Sequence, residues 1–200
     1  MLPIVLVMVL AWNSFILNRA YAHLDAAGLL VISTSSLADR IRANPGLILR
    51  PGAWGIPKDW RGQKRVGPRD DDTEILLRNL DAIAPALRSI QPDEINLRGS
   101  PLLENVDGLS GLDSVHFLYL DRCSALQDLN GLSSMSSLEL LTASHCSSLR
   151  NVDGIKGLTG LRKLHLDGSK GIPAAALREL RIALPTTNMS LPDGTYFPSK

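Results

Sequence analysis

The chain has 200 residues, enough for one domain with additional segments. Lys plus Arg number 21 against 20 Asp plus Glu, a formal net charge of +1 with the signs intermixed. That balance lacks the basic stripe that nucleic-acid binding needs, so no nucleic-acid partner is expected.

The first element is the apolar run over residues 2–17, interrupted by Asn13 and Ser14. At 1.5 Å per residue it spans ~24 Å as a helix, slightly short of a ~30 Å hydrocarbon core. Three readings stay open for residues 1–19. A single-pass membrane anchor is the one we expect. A signal peptide cleaved near Ala20-Tyr21-Ala22 is the second, leaving a secreted or periplasmic protein. No Lys or Arg precedes the run, which counts against it. A helix buried in a globular core is the third. Arg19 follows the run, and taken alone it favours a cytoplasmic side for what comes after.

Residues 20–71 read as a small α/β segment and linker. Residues 20–27 extend a helix, 29–32 form a short strand, and 37–43 form a helix ended by Asn44-Pro45-Gly46. Pro51-Gly52, Trp54-Gly55, Pro57 and Trp60-Arg61-Gly62 read as loop. Trp54 and Trp60 are expected to pack this loop onto the N-terminal cap described next, with membrane-interface contact as the alternative. Arg61, Lys64, Arg65 and Arg69 cluster, but Asp70, Asp71 and Asp72 follow at once. A solvated linker is expected there rather than a phosphate-binding patch.

Residues 72–92 are expected to cap the next unit with a helix. Asp71, Asp72 and Glu74 precede Ile75, Leu76, Leu77, Leu80, Ile83 and Leu87, and acidic residues suit a first helical turn. Pro85 lies inside the pattern and predicts a kink or break near Ala84.

From residue 93 to 191 a register governs the chain. Leu97, Leu120, Ala143 and Leu166 lie 23 residues apart, and so do their neighbours. One coil reads Leu118, Leu120, Cys123, Leu126, Leu129, Leu132, Met135, Leu138; the coils before and after repeat the same columns. Each starts with strand-like alternation and continues at a spacing of three, which suits 3-10 turns better than a 3.6-residue helix. Gly108, Gly131 and Gly154 recur at one phase after Asp107, Asn130 and Asp153. Such pairs turn the chain through positive φ and local side-chain caps. A unit of this kind buries its apolar edge only by stacking on a neighbour, so the strands are expected to form a parallel sheet. Cys123 and Cys146 share a column with Ser100 and Ser169. One coil apart they could reach disulfide distance, but an inward column favours two reduced, buried thiols.

The stretches LYLDRCSALQDLNGLSSMSSL and LTASHCSSLRNVDGIKGLTGL resemble the leucine-rich repeat family. Cys123 and Cys146 stand where its pattern holds Asn or Cys, and Ala143 departs from the usual Leu. The resemblance covers residues 93 to 190, roughly half the chain. It implies a repeat solenoid of bacterial type; together with the readings of the other segments, the expected fold is an α/β solenoid with a short parallel sheet, an irregular 3-10 convex side, helical caps and an N-terminal hydrophobic helix.

In the last unit the spacing becomes helical through Ala174, Leu177, Leu180, Ala183 and Leu184, between Pro173 and Pro185. Met189 and Leu191 suggest a final short strand, and residues 192–200 read as a tail.

No catalytic motif is present. Gly-x-Ser-x-Gly and His-Glu-x-x-His do not occur, and there is no glycine-rich phosphate loop. Cys123, His145 and Cys146 give an incomplete zinc set, and His145 adjoins Cys146 on a turn, a poor arrangement for a Cys–His nucleophile. Catalytic residues, metal and cofactor are therefore all expected to be none.

What remains is the outward face of the strands. Phe117, Tyr119 and Leu140 form an apolar centre, and Asp121, Lys163, His165 and Asp167 a charged rim, as binding patches are built. We expect a non-catalytic module that binds a protein or peptide on this face and is tethered to a membrane through residues 2–17. Folding of the N-terminal segment over the face is one alternative. A structural or assembly module of an envelope complex is another. An enzyme with a site in residues 20–71 is a third, supported by nothing beyond the aromatics.

Overall fold

The computed structural model describes residues 19, 22, 24, 29–33, 64–68 and 77–199. Each repeat opens with a three-residue strand whose middle side chain points inward. These are β3 (Glu94–Asn96), β4 (Phe117–Tyr119), β5 (Leu140–Thr142) and β6 (Lys163–His165). They pair in parallel with no slip: Ile95, Leu118, Leu141 and Leu164 are opposite one another, each 0 % exposed. A one-residue slip would turn every inward side chain outward, so burial of this row locks the register. Leu97, Leu120, Ala143 and Leu166 form a second buried row.

Two strands precede and two follow this set. β1 (Leu29–Ser33) pairs antiparallel with β2 (Lys64–Pro68), which runs parallel to β3. β7 (Asn188–Ser190) continues the parallel order, and β8 (Tyr196–Phe197) closes it antiparallel. The result is an eight-stranded sheet in sequential order. This is an α/β architecture of regularly spaced, largely parallel strands alternating with 3-10 turns, consistent with a repeat solenoid.

The 3-10 turns Asp107–Leu109, Asn130–Leu132 and Asp153–Ile155 stack on the opposite side. The amides that open them are satisfied by the residue two positions earlier: Asn105, Asp128 and Asn151 accept from Asp107, Asn130 and Asp153 at 3.3, 3.0 and 2.8 Å. The glycines in these turns do a different job from the one expected. None of the three has positive φ. They are small because the coils touch there. A Cβ on Gly131 would lie 2.3 Å from the Val106 carbonyl oxygen, and one on Gly154 2.3 Å from that of Leu129. Gly108 meets the Leu80 backbone in the same way, at 2.7 Å.

Buried hydroxyls and thiols hold consecutive coils together. Cys123 Sγ donates to the Leu97 carbonyl at 3.2 Å, Cys146 Sγ to Leu120 at 3.1 Å, and Ser169 Oγ to Ala143 at 2.6 Å. Thr187 Oγ1 adds a bond of the same kind to Leu161 at 2.6 Å. In each case the acceptor lies 26 residues earlier, in the preceding coil. Both cysteines are free. Burial pushes the Cys123 thiol up to about 12 and Cys146 up to about 11, so both stay protonated as these bonds require.

The caps differ from expectation in extent. The N-terminal helix α1 is only Ala84–Ile90, while residues 77–83 are turns and bends. Pro85 therefore starts the helix instead of kinking a longer one, since its missing N–H costs nothing in a first turn. The acidic residues at 71–74 lie outside the described residues. Helix α2 (Ala174–Ala183) sits where the spacing placed it, with Leu180 buried. Lys156 ties it to the last 3-10 turn, reaching Asp153 at 2.7 Å and Glu179 at 2.6 Å.

Two segments read as unstructured are strands. Lys64 to Pro68 was expected as linker, yet it forms β2, with Val66 buried and Arg65 ion-paired. One apolar residue between two basic residues and a Gly-Pro pair is too short a pattern to read as a strand. The tail from 192 contains β8, entered through Gly194 at φ +83° with Asp193 accepting from the Thr195 amide at 2.9 Å. Arg181 then lies over the Phe197 ring, 3.7 Å from its centre.

Strand β1 and the helical Arg19, Ala22 and Leu24 agree with the reading of residues 20–32. Residues 1–18, the helix over 37–43, and Trp54 and Trp60 lie outside the described residues. Among the described residues, no helix is long and apolar enough to cross a membrane.

The glycine contacts yield a graded test. Gly131→Ala should cost at least ~3 kcal/mol in chemical denaturation, because backbone rather than a flexible side-chain end must move. Gly157→Ala, which meets nothing within 4 Å and has no positive φ, should be neutral or stabilising by up to ~1 kcal/mol. Equal effects at the two positions would remove close coil contact as the reason for glycine.

Candidate functional site

The same alternation that buries Leu118, Leu141 and Leu164 turns their neighbours outward. Register places Glu94, Phe117, Leu140, Lys163 and Asn188 in one row across the sheet, and Asn96, Tyr119, Thr142, His165 and Ser190 in the next. Phe117, Tyr119, Asp121, Leu140, His165 and Asp167 are half-buried and Lys163 is exposed, so every residue expected on this face lies outside the core. Both described helices contact the 3-10 turns instead.

A charged network crosses one side of the face. Arg65 Nε on β2 is 2.9 Å from Glu94 Oε2, an ion pair without hydrogen-bond alignment. Burial raises the Glu94 carboxyl above its usual 4.5, against the lowering pull of Arg65 and Arg98. The Arg98 guanidinium lies over the Tyr119 ring, 4.2 Å from its centre, so one face of that ring is already occupied. Arg98 Nε also donates to Asp121 Oδ2 at 2.8 Å. Thr142 Oγ1 donates to the same oxygen at 2.7 Å, and the Ser144 amide to Oδ1 at 2.9 Å. Burial alone would raise the Asp121 carboxyl. The bonds from Thr142, Ser144 and Arg98 outweigh it and hold the group below its usual 3.8. The Tyr119 phenol is raised by burial and by nearby Glu94.

Beyond this network lies an open groove of about 500 Å³, lined by Arg98, Gly99, Asp121, Arg122, Thr142, Ser144, His145 and His165. It runs along the C-terminal ends of β3 to β6. Gly99, Arg122, His145 and Gly168 occupy one column, 23 residues apart, and all four are left-handed, at φ +69°, +62°, +59° and +70°. Arg122 and His145 pay about 1–2 kcal/mol each for a conformation that glycine adopts freely. The His145 ring rests in the space left by the absent Cβ of Gly168, which would fall 2.4 Å from Nδ1.

Of the residues expected to bind, Asp121 and His165 line the groove. Phe117, Leu140 and Lys163 are one row away, Tyr119 lies beneath Arg98, and Asp167 faces His165 Nδ1 at 3.8 Å. Arg122, His145, Thr142 and Ser144 were not singled out for this site. A glycine at two of four equivalent positions was the available sign that this column demands positive φ. Among the described residues no group of three His, Cys, Asp or Glu is placed to hold a metal ion. No protein-family model matches the chain, and no curated protein is similar to it.

The Asp121 bonds give a pH dependence. A carboxyl depressed in the folded state stabilises the fold above its unfolded value of 3.8 and loses that contribution as pH falls through the folded value. The stability gap between the wild type and Asp121→Asn should thus be widest near neutrality. It should narrow progressively below about pH 4 in acid-denaturation curves. A gap that persists undiminished to pH 2 would show that the charge of Asp121 is not what Arg98, Thr142 and Ser144 recognise.

Proposed function

We propose that the chain is a leucine-rich-repeat binding module, tethered to a membrane through residues 2–17, that takes a protein or peptide on its strand face without catalysis. The observation that carries this reading is the pair of outward rows. Phe117 and Leu140 sit side by side on adjacent strands, half-buried, with Glu94 and Lys163 next to them on either side in the row. A small apolar centre with charge on both sides favours a partner of matching polarity. The 23-residue spacing of strands and 3-10 turns supports the repeat-family reading. The tether rests on the composition of residues 2–17 alone.

The test is a pull-down from membranes with the full chain, comparing the wild type with the Phe117→Ala/Tyr119→Ala variant. Partner recovery should be lost while the melting temperature moves by less than ~5 °C, as expected when the loss is below ~1 kcal/mol. Recovery that survives the double substitution would place binding elsewhere. A collapse in melting temperature would mean that the two rings serve the core.

A further inference from the structure

We propose that the groove at the C-terminal ends of β3 to β6 is a carboxylate subsite, in which Arg122 and His145 together grip an acidic group of the bound peptide. The inference rests on the peptide-binding reading of the strand face and specifies the chemistry of one part of it.

The groove's polar groups divide into those already engaged and those still available. Asp121 accepts from Arg98, Thr142 and Ser144, so its charge is answered within the protein. His165 faces Asp167. Arg122 and His145 are exposed, and among the described residues neither side chain has a hydrogen-bond or ion-pair partner. They occupy equivalent positions on adjacent coils, one strand spacing apart at about 4.8 Å. That spacing is between backbones; both side chains open into the same groove, where a guanidinium and an imidazole N–H offer donors to the oxygens of a carboxylate, and the guanidinium favours a planar, bidentate acceptor.

Conformation supports the same conclusion. The column requires positive φ, and Gly99 and Gly168 meet the requirement without strain. At the two middle positions the chain instead carries a cation and an imidazole, both lining the groove. Residues kept in a strained conformation cluster where a side chain is needed for contact. Gly168 also leaves room for the His145 ring, so the column reads as two side chains displayed between two glycines.

The experiment uses the full chain in nonionic detergent at low salt and peptides carrying an uncharged fluorophore, read by anisotropy. Capped hexaglutamate offers side-chain carboxylates, N-capped hexaalanine with a free C-terminus offers a terminal one, and hexalysine is the control. We expect saturable binding of hexaglutamate or of the free C-terminus, whichever source the groove accepts, and none of hexalysine. Arg122→Gly/His145→Gly should weaken binding about tenfold or more while the melting temperature stays level or rises. Arg122→Gln/His145→Gln, which keeps side chains in the strained column, should lose binding as well. Failure of both acidic peptides to bind, equal binding by hexalysine, undiminished binding by either variant, or a lower melting temperature in the glycine variant would overturn the proposal. A retained carboxylate subsite with membrane-partner recovery indifferent to Phe117 and Tyr119 would instead sink the reading of the face. The two failures are therefore separable.

Discussion

Each coil is fastened to the one before it by a buried side chain that donates to a carbonyl in the preceding turn. Cys123, Cys146, Ser169 and Thr187 perform this task. The bond needs a small polar group, fully inside; Cys123, Cys146 and Ser169 supply it at one phase of the repeat, and Thr187 supplies it just before the last parallel strand. Aliphatic burial fixes which side chains face inward but is non-directional; this bond adds a directed link between consecutive coils. The 3-10 turns impose a second limit on the other side, where only glycine permits the coils to approach. Between these two constraints the strands have one register, and the outward rows follow from it.

That rigidity lets a nearly neutral chain present an organised set of charges. Arg65, Glu94, Arg98, Asp121 and Thr142 come from β2, β3, β4 and β5 or the residues just after them, yet they meet in one network. Single surface ion pairs are worth little because ordering two long side chains cancels most of the gain. Here the backbone rows already supply the order. Arg98 is held by Tyr119 below and Asp121 beside it, so its guanidinium is placed by packing as well as by charge.

The solenoid was legible in the residues because it is periodic. Eight columns repeated over three coils define the inward rows, and the helical spacing from Ala174 defines α2. Elements that occur once were harder to read. β2 carries Lys64 and Arg65, and its partner β3 lies nearly thirty residues away, so the contacts that pair it, burial of Val66 and the Arg65–Glu94 ion pair, are visible only in three dimensions. β8 was hidden behind a short polar turn at Asp193 and Gly194. The role of glycine was misassigned in a telling way. Gly108, Gly131 and Gly154 were read as positive-φ turns, but their need is for space. The true left-handed column holds glycine at its ends and Arg122 and His145 in its middle.

A repeat protein carries its own internal comparison, because equivalent positions share one backbone and differ only in side chain. At the left-handed column the backbone asks the same thing four times, and glycine is the low-energy answer. It is given at Gly99, where a Cβ would meet nothing, and at Gly168, where the missing Cβ also makes room for the His145 ring. At Arg122 and His145 it is withheld, beside the groove where the network leaves donors available. Core packing does not explain the difference: the His145 ring rests on Gly168, but both side chains are exposed and neither joins the core. Solubility does not either, because any polar residue could be placed on the unstrained turn positions nearby. Gly99 lines the same groove, so what distinguishes the two middle positions is that they carry exposed donors into it. A local conformational cost borne only there is the expected mark of side chains kept for contact with something outside the chain.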